Sequence, residues 1–363
     1  DTVIALRELN PGSQADSSWL NQAVVYTHGF GVVAAYGNRQ GNDGQPAFLE
    51  ANIPPTGELG EYEPRIYFGE QSPEYSIVGG AEEDPDLELD RPSTSDDEED
   101  DVRTTFSGEG GPNVGNPLNR LSYAIKFQST DLMFSDAVRP DSQVLFDRTP
   151  RERVEKVAPY LTVDGNPYPA IVDGRVKWIV DAYTTSDAYP YSTPMELDDA
   201  TEDTATAEGA SAALPSEQAN YMRNSVKATV NAFDGSVTLY TWDTEDPILK
   251  PWAEVFPDAL QPASEISGEL MSHLRYPADY FKAQRQILST YHVTDADDFF
   301  TQQDFWQVPP DPTVPAPTNP DGSAGQQAPQ PPMYLTMQMP DEEQPRFTLS
   351  SSFIPSEGQN VLT

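Results

Sequence analysis

Residues 220–247 read NYMRNSVKATVNAFDGSVTLYTWDTEDP. Apolar or small side chains alternate with polar ones from Val226 to Ala232, and a second such run follows Asp234-Gly235. Alternation of this kind is typical of a half-buried β-strand, and an Asp-Gly pair between two such runs indicates a hairpin, because both residues tolerate a positive φ. The stretch therefore predicts an antiparallel hairpin with its turn at Asp234-Gly235.

The same turn signal occurs upstream, at Asp173-Gly174. A short apolar run at 170–172 precedes it, and the alternating sequence VKWIVDA follows at 176–182. We expect the two hairpins to pair into one antiparallel meander, with residues 187–217 inserted between them. The centre of the chain is therefore predicted to be a β-sheet.

Helices are predicted on both sides of this meander, each from a start signal followed by apolar residues at helical spacing. The start signals are Asn116-Pro117, Thr149-Pro150, Ser264, Pro277 and Asp295. Leu118 and Ile125 belong to the apolar stripe of the first helix. Ile287 and Leu288 belong to that of the fourth. The predicted fold class is therefore α+β, a mainly antiparallel sheet with several packed helices and long acidic or Pro-rich loops.

The loops define a predicted domain organisation. Two acidic stretches, 81–103 and 187–217, are predicted to be disordered surface loops, because like charges repel one another and remain solvated. Residues 309–332 are rich in Pro, Gly, Gln and Ala and are predicted to be a semi-extended linker. Residues 1–308 then form the main α+β domain, and 333–363 return to it as strands with a truncated C terminus.

The chain is strongly acidic, with 59 Asp and Glu residues against 21 Lys and Arg residues and a formal net charge of −38. Nucleic acids and anionic lipid surfaces need clustered Lys and Arg, so neither is expected as a partner, whereas weak binding of divalent cations is compatible with this charge. Cysteine is absent, which excludes disulfides and thiolate metal ligands. No cofactor is expected, and no run approaches the roughly 20 apolar residues of a membrane helix.

The histidines are weak candidates for a site. His28 lies in the sequence THGFG at 27–31, and a histidine-glycine turn can supply the oxyanion hole of a lipase. The chain has no Gly-x-Ser-x-Gly, so a buried, hydrogen-bonded histidine is the preferred interpretation. His273 lies beside Arg275 in or near a predicted helix. No two histidines are four residues apart, so no histidine-based metal site is predicted.

Polar side chains of the two hairpins are the other candidates. We expect Asn220 and Arg223 to pair internally, with a ligand-facing position as the alternative. Asp181, Asp243 and Asp246 lie at strand ends or turns. Two carboxylates about 5–9 Å apart can hydrolyse a glycosidic bond, and several together with carbonyl oxygens can hold Ca²⁺. No Asp-x-Asp-x-Asp-Gly loop is present, which weakens the calcium interpretation.

Several segments of the sequence resemble motifs of Uncharacterised Protein Family 0182, a family of large integral membrane proteins of actinobacteria and cyanobacteria. These segments are YTHGFGVV at 26–33, PRIYFGE at 64–70, NRL at 119–121, APYL at 158–161, WIVDAYTT at 178–185, NYMRNSVKA at 220–228, HLRYP at 273–277 and YHVT at 291–294. The resemblance runs in order across nearly the whole chain. It implies N-terminal transmembrane helices followed by a large extracytoplasmic region, of which this chain, beginning at Asp1, would be most of the soluble part.

The resemblance also implies a location and partners, but no catalytic residues, since none are established for the family. The expected location is the cell membrane, with this region outside the cytoplasm. The expected partners are the protein's own transmembrane region and other envelope proteins. We therefore expect a non-catalytic module for interaction, assembly or transport support in the envelope. The alternatives are an envelope hydrolase or transferase that acts on glycans with Asp and Glu, and a Ca²⁺-binding domain.

Overall fold

The fold is described from a computed structural model, which describes residues 1–9, 17–41, 44–81, 83–93, 101–302, 304–318, 322–323, 325, 327–340 and 342–356. The strands of the first 116 residues are β1 Thr2–Leu6, β2 Gly29–Phe30, β3 Val32–Gln40, β4 Pro46–Ala51, β5 Thr56–Gly57, β6 Arg65–Ile66, β7 Tyr75–Val78, β8 Glu88–Arg91 and β9 Val102–Thr104. A π-helical turn at Asn21–Val25 lies between β1 and β2. Strands β1, β3, β4 and β5 form one antiparallel sheet.

The middle of the chain contains α1 Pro117–Lys126, α2 Thr130–Phe134, β10 Gln143–Phe146, α3 Pro150–Val157, β11 Thr162–Val163, β12 Tyr168–Val172, β13 Arg175–Ser186, β14 Met195–Glu196, α4 Leu197–Thr201, α5 Thr204–Ala207, β15 Gln218–Ala219, β16 Tyr221–Asn231, β17 Val237–Thr241 and α6 Leu249–Val255. The last part contains β18 Leu260–Pro262, a 3₁₀ turn at Ala263–Glu265, α7 Gly268–His273, α8 Ala278–Tyr291, α9 Ala296–Thr301, β19 Trp306–Gln307, β20 Met333–Met337, β21 Arg346–Ser350 and β22 Ile354–Pro355.

The largest sheet confirms the predicted meander. Its strand order is β11-β13-β16-β17-β18, and β12 pairs with β13 as well. All of these neighbours are antiparallel except β17 and β18, which run parallel. Helices pack around this mainly antiparallel sheet, so the α+β class predicted from the sequence is confirmed.

The upstream Asp-Gly pair forms the tight turn that its sequence predicts. Asp173 and Gly174 both have positive φ, 54° and 68°. Val172 pairs directly with Arg175, so the loop contains two residues. A two-residue hairpin loop with two positive φ values matches the right-handed twist of the flanking strands, which is why Asp-Gly is favoured there.

The downstream Asp-Gly pair closes a longer connection. The last ladder pair is Val230 with Val237, and within the loop Gly235 has a φ of 71°. The Asp234 carboxylate accepts a hydrogen bond from the backbone N–H of Ser236 at 2.9 Å, which stabilises the loop. The hairpin itself is confirmed, but its aspartate acts as a local cap and does not adopt a positive φ.

One face of the large sheet carries the main hydrophobic core. This core consists of Val32, Ile66, Val154, Ala158, Leu161, Val163, Val176, Trp178, Val180, Ala182, Val226, Ala228, Val230, Ala232, Leu239 and Leu249. Along β13 and β16 the cluster takes every second residue, as the period of a strand requires: Val176, Trp178, Val180 and Ala182 on β13, and Val226, Ala228 and Val230 on β16. Helix α3 contributes Val154 to the same cluster, so it covers this face of the sheet.

The prediction of a disordered loop over 187–217 is wrong. The segment contains β14, α4 and α5, and β14 pairs with β15. Leu197 and Leu214 are 1% and 2% exposed and belong to one cluster with Tyr183 of β13. Asp203 caps α5 through a capping box. A few apolar anchors and a helix cap therefore order a segment whose many carboxylates suggested an open loop.

The prediction of a disordered loop over 81–103 is wrong where the structure describes it; residues 82 and 94–100 lie outside the described residues. Strands β8 and β9 pair antiparallel within this stretch. The carboxylates of Glu88 and Asp90 on β8 are buried. Glu88 accepts hydrogen bonds from the hydroxyls of Thr27 and Tyr67, and Asp90 pairs with Arg65, so like-charge repulsion does not decide the conformation here.

The Pro-rich stretch 309–332 contacts the preceding part of the chain. Asp311 is buried and accepts a hydrogen bond from Thr204 Oγ1 at 2.6 Å. Strands β20 and β21 then form their own two-stranded antiparallel sheet. The division into a main domain, a linker and returning strands stays a prediction, and residues 357–363 lie outside the described residues.

The apolar stripe of α1 does not face the core, although such a stripe normally does. Leu118 and Ile125 are 73% and 68% exposed, whereas Ala124 is buried. The opposite side of the helix faces inward: Ala124 and Tyr123 pack in a hydrophobic cluster with Leu132, and the Arg120 guanidinium donates to the backbone carbonyl of Leu132 at 2.9 Å. Among the described helices, none is both long and apolar enough to cross a bilayer.

Candidate ligand-binding site

A cavity of about 730 Å³ opens beside β16 and β17, where the segment joining α7 to α8 passes them. It is lined by Arg223, Asn224, Lys227, Trp242, Asp243, Thr244, Met271, Leu274, Arg275, Tyr276, Pro277 and Tyr280. The hairpin that dominates the sequence therefore forms one wall of the cavity, and the C-terminal helices form the other.

Three cations line this cavity in a chain whose net charge is −38. Arg223 Nη1 lies 3.0 Å from Asp243 Oδ2, so its charge is neutralised at the rim. Lys227 forms a close ion pair with the buried carboxylate of Asp181. Arg275 makes no ion pair with any carboxylate of the described residues. The cavity therefore contains one cation that no protein anion balances within the described part of the chain.

Aromatic rings hold the Arg275 guanidinium in place. Its Cζ lies 4.2 Å from the ring centroid of Tyr168 and 5.3 Å from that of Tyr334. Both contacts are in the range of cation–π attraction, which positions a charge without neutralising it. The Tyr334 hydroxyl donates to the backbone carbonyl of Tyr276 at 2.7 Å and so fixes the adjoining wall.

Aromatic side chains also form much of the cavity lining. Trp242 directly follows β17, Tyr276 lies just before α8 and Tyr280 lies in the first turn of α8, with 6.1 Å between the ring centroids of the two tyrosines. Such rings offer flat apolar surface with polar edges. Cations beside aromatic rings suit a ligand that carries both a negative charge and an apolar or ring-shaped part.

A buried ion pair lies beneath the cavity. Asp181 accepts from Lys227 and from Asn224 Nδ2, the latter at 2.9 Å. The Lys227 ammonium also donates to the backbone carbonyl of Arg275 at 3.0 Å. Burial outweighs the attraction of Lys227 and raises the pKa of Asp181 to about 6. This carboxyl group can therefore change its protonation state in mildly acidic solution.

A second group of buried charges continues from this pair towards α8. The Tyr183 hydroxyl donates to Asp164, and the backbone N–H of Gly165 donates to Asp279 at 2.8 Å. Burial, followed by the negative charge of Asp164, raises the pKa of Asp279 to about 7. Lys282 lies on the same face of α8 and stabilises this group by direct ion pairing.

The ion pairs of Lys282 explain which side of α8 is buried. Its Nζ lies 3.2 Å from Asp279 Oδ1 and 2.8 Å from Asp203 Oδ2. These three side chains are almost completely buried, whereas Ile287 and Leu288 are about half exposed. The predicted apolar stripe of α8 therefore faces away from the core, and its charged face packs inward.

Asp246, a predicted site residue, is saturated by hydrogen bonds from the protein. It accepts from the hydroxyls of Thr184 and Ser225, both at 2.5 Å, from the Tyr221 hydroxyl at 2.7 Å and from the backbone N–H of Ile248 at 2.9 Å. Burial opposes the charge, but these donors together lower the pKa of Asp246. The arrangement is that of a carboxylate that fixes the end of the hairpin.

His28 lies in a different cluster, away from the cavity lining. Its buried ring has Nδ1 3.8 Å from Glu88 Oε2 and Nε2 3.5 Å from Asp90 Oδ1. Thr27 Oγ1 donates to Glu88 at 2.7 Å, and it lies 2.9 Å from His28 Nδ1, so Nδ1 supplies the proton of that second bond. Arg65 pairs with Asp90 at 2.6 Å. These are the surroundings of a buried, hydrogen-bonded histidine.

The remaining predicted residues do not join one site. Asn220 binds the backbone of Tyr189, through its side-chain carbonyl and its amide group, both at 2.9 Å. His273 is the exposed last residue of α7. Of the three predicted carboxylates, Asp243 lines the cavity, Asp181 lies beneath it, and Asp246 points to its hydroxyl donors. The structure therefore brings Arg223 and Asp243 together at the cavity, above Asp181.

The sequence did not predict the aromatic lining of the cavity or the position of Arg275 in it. Two signals were available: basic residues are scarce in this chain, and both HLRYP at 273–277 and the hairpin entry place them beside aromatic residues. Their convergence depends on how α7 and α8 pack against β16, which no local pattern specifies. Within the described residues, no group of three or more His, Asp or Glu side chains is placed to hold a metal ion.

The fold and the cavity define an acidic α+β protein region with a cationic, aromatic-lined cavity above a network of buried charges. The family model of the uncharacterised protein family UPF0182 matches residues 1–363, and the chain belongs to that family.

Three relatives of this chain carry the name UPF0182 protein. One from Kocuria rhizophila is 61% identical over 364 residues, which is 100% of this chain and 36% of the relative. Another from an Arthrobacter species is 59% identical over 371 residues, with the same coverage, and one from Bifidobacterium longum is 53% identical, covering 99% of this chain and 33% of the relative. The chain thus spans about a third of the length of these curated relatives. No solved structure matches it significantly.

Proposed function

We propose that this region is a non-catalytic, extracytoplasmic binding module of a larger membrane protein, and that it binds an anionic ligand with an apolar or ring-shaped part in the cavity beside Arg275. The observation that carries the proposal is the uncompensated charge of Arg275 in a chain of net charge −38. In an acidic protein, a cavity cation without a carboxylate partner in the described residues favours an anion as ligand.

The lining supports a ligand of mixed character. Trp242, Tyr276 and Tyr280 offer ring faces, and the cations lie at the edges of this surface. A volume of about 730 Å³ is within the range of small-molecule sites. A simple inorganic anion would leave most of this surface in contact with water, so an organic anion fits the cavity better.

The place of this region in a larger protein rests on the length of the relatives and on the resemblance of its motifs to membrane proteins of the same family. The relatives are about three times as long as this chain. A binding module outside the cytoplasm would serve interaction, assembly or transport support in the envelope. Protease accessibility of the full-length protein in intact cells tests this location: digestion of this region only after lysis would contradict it.

The cavity is tested with a pair of fluorescent probes of matched shape. Anilinonaphthalene sulfonate is an aromatic anion, and N-phenylnaphthylamine is its uncharged counterpart. We expect saturable binding of the anion at one site. Arg275→Gln should weaken that binding about tenfold, since a lost charge-assisted contact costs roughly 1.5 kcal/mol, and should leave binding of the uncharged probe unchanged.

Arg39→Gln is the matched control. Arg39 also lies over a tyrosine ring, with its Cζ 4.4 Å from the centroid of Tyr36, but it is exposed and outside the cavity. Its replacement removes the same charge from the chain and should not change the affinity for the anion. Equal losses in the two variants, or no saturable binding by the unmodified protein, would show that the cavity is not an anion site.

A further inference from the structure

We propose that the cavity takes up its anionic ligand together with one proton, and that the carboxyl group of Asp181 holds this proton beneath Lys227. The inference rests on the proposed function and adds a regulation by pH to the same site. A solvent proton binds to Asp181 as the ligand binds. The charge that the ligand brings is thereby balanced within the protein.

The geometry makes Lys227 a shared counterion. Asp181 on β13 and Lys227 on β16 are direct partners in the sheet ladder, and their side chains are 4% and 3% exposed. The same Lys227 lines the cavity, with its Nζ 5.3 Å from the ring centroid of Trp242. One ammonium group therefore faces both the buried carboxylate and the space that the ligand would fill.

Among the charged groups near Asp181, Lys227 stabilises its carboxylate and Asp164 destabilises it. Lys227 of β16, Asp164 after β11, Tyr168 of β12, Tyr183 of β13 and Tyr334 of β20 interact with it electrostatically. Arg275 before α8 and Asp279 of α8 act on these tyrosines. Lys227 is the direct ionic partner among them. If a bound anion attracts Lys227, the Asp181 carboxylate loses part of its stabilisation.

Protonation relieves this competition. Two anions sharing one ammonium group in a buried site are less stable than one anion and one neutral carboxyl group. The Asn224 amide, 2.9 Å from Asp181 Oδ1, can remain bonded to a neutral carboxyl oxygen. Because burial already brings the pKa of Asp181 to about 6, a modest further increase suffices for proton uptake near neutral pH.

Linkage gives the sign of the effect. If ligand binding raises proton affinity at Asp181, acidification raises ligand affinity by the same factor. Binding of the anionic probe should therefore tighten as the pH falls through about 6 and level off on either side. The acidic surface also loses negative charge on acidification, so the experiment needs a control for this general effect.

The test uses anilinonaphthalene sulfonate, which keeps its charge over the range needed. We expect affinity about tenfold higher near pH 5 than near pH 8, a factor that corresponds to roughly one pH unit of displacement in a single proton equilibrium. Asp181→Asn cannot take up this proton, so its affinity for the probe should keep only the smaller pH dependence that comes from the acidic surface. Calorimetry of the unmodified protein near pH 6.5, in two buffers of different ionisation enthalpy, should show net proton uptake on binding (about half a proton).

Asp173→Asn is the matched control. Asp173 also pairs with a lysine of β13, at 3.5 Å from Lys177 Nζ, but it is exposed, and asparagine tolerates its positive φ. This variant has the same net charge as Asp181→Asn and should keep the full pH dependence.

The possible outcomes distinguish a failure of the proton coupling from a failure of the binding function. Saturable anion binding without pH dependence or proton uptake would overturn the coupling and leave the binding function standing. An unaltered pH profile in Asp181→Asn would assign the proton to another group and overturn the inference. If Asp181→Asn does not fold, proton uptake by the unmodified protein decides. Absence of anion binding at every pH would remove both proposals.

Discussion

Asp181 and Lys227 face each other as direct ladder partners on β13 and β16, and both side chains are almost fully buried. The pair lies in the middle of the sheet, between the main core and the cavity. Each residue is the direct ionic partner of the other within the described part of the chain. Removing one partner leaves the other as a buried, uncompensated charge, which is far more costly than removing the pair.

Lys227→Met should therefore lower the free energy of unfolding by about 3–5 kcal/mol near neutral pH. The double variant Lys227→Met/Asp181→Asn should be less destabilised than Lys227→Met alone, because it no longer buries a lone carboxylate. Denaturant unfolding followed by fluorescence measures both values.

Lys177→Met is the control, on β13, the strand that carries Asp181. Its partner, Asp173, is more than half exposed, so this variant should change the free energy of unfolding by no more than about 0.5 kcal/mol. Comparable losses in Lys177→Met and Lys227→Met would contradict a special role for the buried pair.

Asp279→Asn should alter the pH dependence of stability. The pKa of Asp279 in the folded protein is raised to about 7, above the roughly 3.9 of an unfolded chain. Between these values the folded state binds a proton that the unfolded state does not, so this group makes the free energy of unfolding fall as the pH rises. Asp279→Asn should reduce that fall between about pH 4 and 7, by on the order of 1 kcal/mol or more.

Asp246→Asn should have the opposite dependence. Its pKa is lowered by four hydrogen-bond donors, so its charged form stabilises the fold above the unfolded pKa, and that contribution is lost as the pH falls. This variant should be destabilised by about 1–3 kcal/mol near neutral pH and progressively less in acid. Parallel pH profiles for the two variants, measured by thermal or denaturant unfolding, would contradict both assignments.

How far the sequence predicted the fold depends on whether a signal is local. The turn at Asp173-Gly174 requires only that two neighbouring residues accept a positive φ, and the sequence predicted it correctly. The caps at Asn116, Thr149 and Asp295 are also local, and each side chain accepts a backbone hydrogen bond at the start of its helix. The cap predicted at Ser264 is displaced to Ser267, after a 3₁₀ turn.

Local sequence does not determine which face of a helix is buried. In α8 the buried face carries Asp279, Lys282 and Arg285, because their partners come from distant segments such as Asp203. Hydrophobic periodicity assumes that charges remain in water, so it assigned the wrong face. The same dependence on distant partners hid the cavity, since Arg275 and β16 become neighbours only when α7 and α8 pack against the sheet.

The exposed stripe of α1 gives a direct test of this correction. Leu118→Gln should change the free energy of unfolding by no more than about 0.5 kcal/mol, because Leu118 is already largely in water. Leu132→Ala in the neighbouring α2 should cost about 2–5 kcal/mol, because Leu132 is fully buried in a cluster with Val24, Ile77 and Val144. Denaturant unfolding compares the two. A large loss from Leu118→Gln would mean that the stripe is covered in solution.

Gly235 and Gly174 have nearly the same backbone conformation in different surroundings. Their φ values are 71° and 68°, but a Cβ at Gly235 would lie 2.6 Å from ring atoms of the fully buried Phe68, whereas a Cβ at Gly174 would come no closer than 3.7 Å to its neighbours. Backbone strain acts at both positions and costs about 1–2 kcal/mol for alanine. At Gly235 the overlap with Phe68 adds to that strain.

We therefore expect Gly174→Ala to lower the free energy of unfolding by about 1 kcal/mol and Gly235→Ala by about 3 kcal/mol or more. Denaturant unfolding of both variants separates the backbone strain from the overlap with Phe68, and near-ultraviolet circular dichroism follows the aromatic packing. Because the strain is common to both, the excess loss in Gly235→Ala measures how tightly the Phe68 ring is held beneath the hairpin loop. Equal losses would mean that the ring moves aside without cost and that the loop does not depend on this contact.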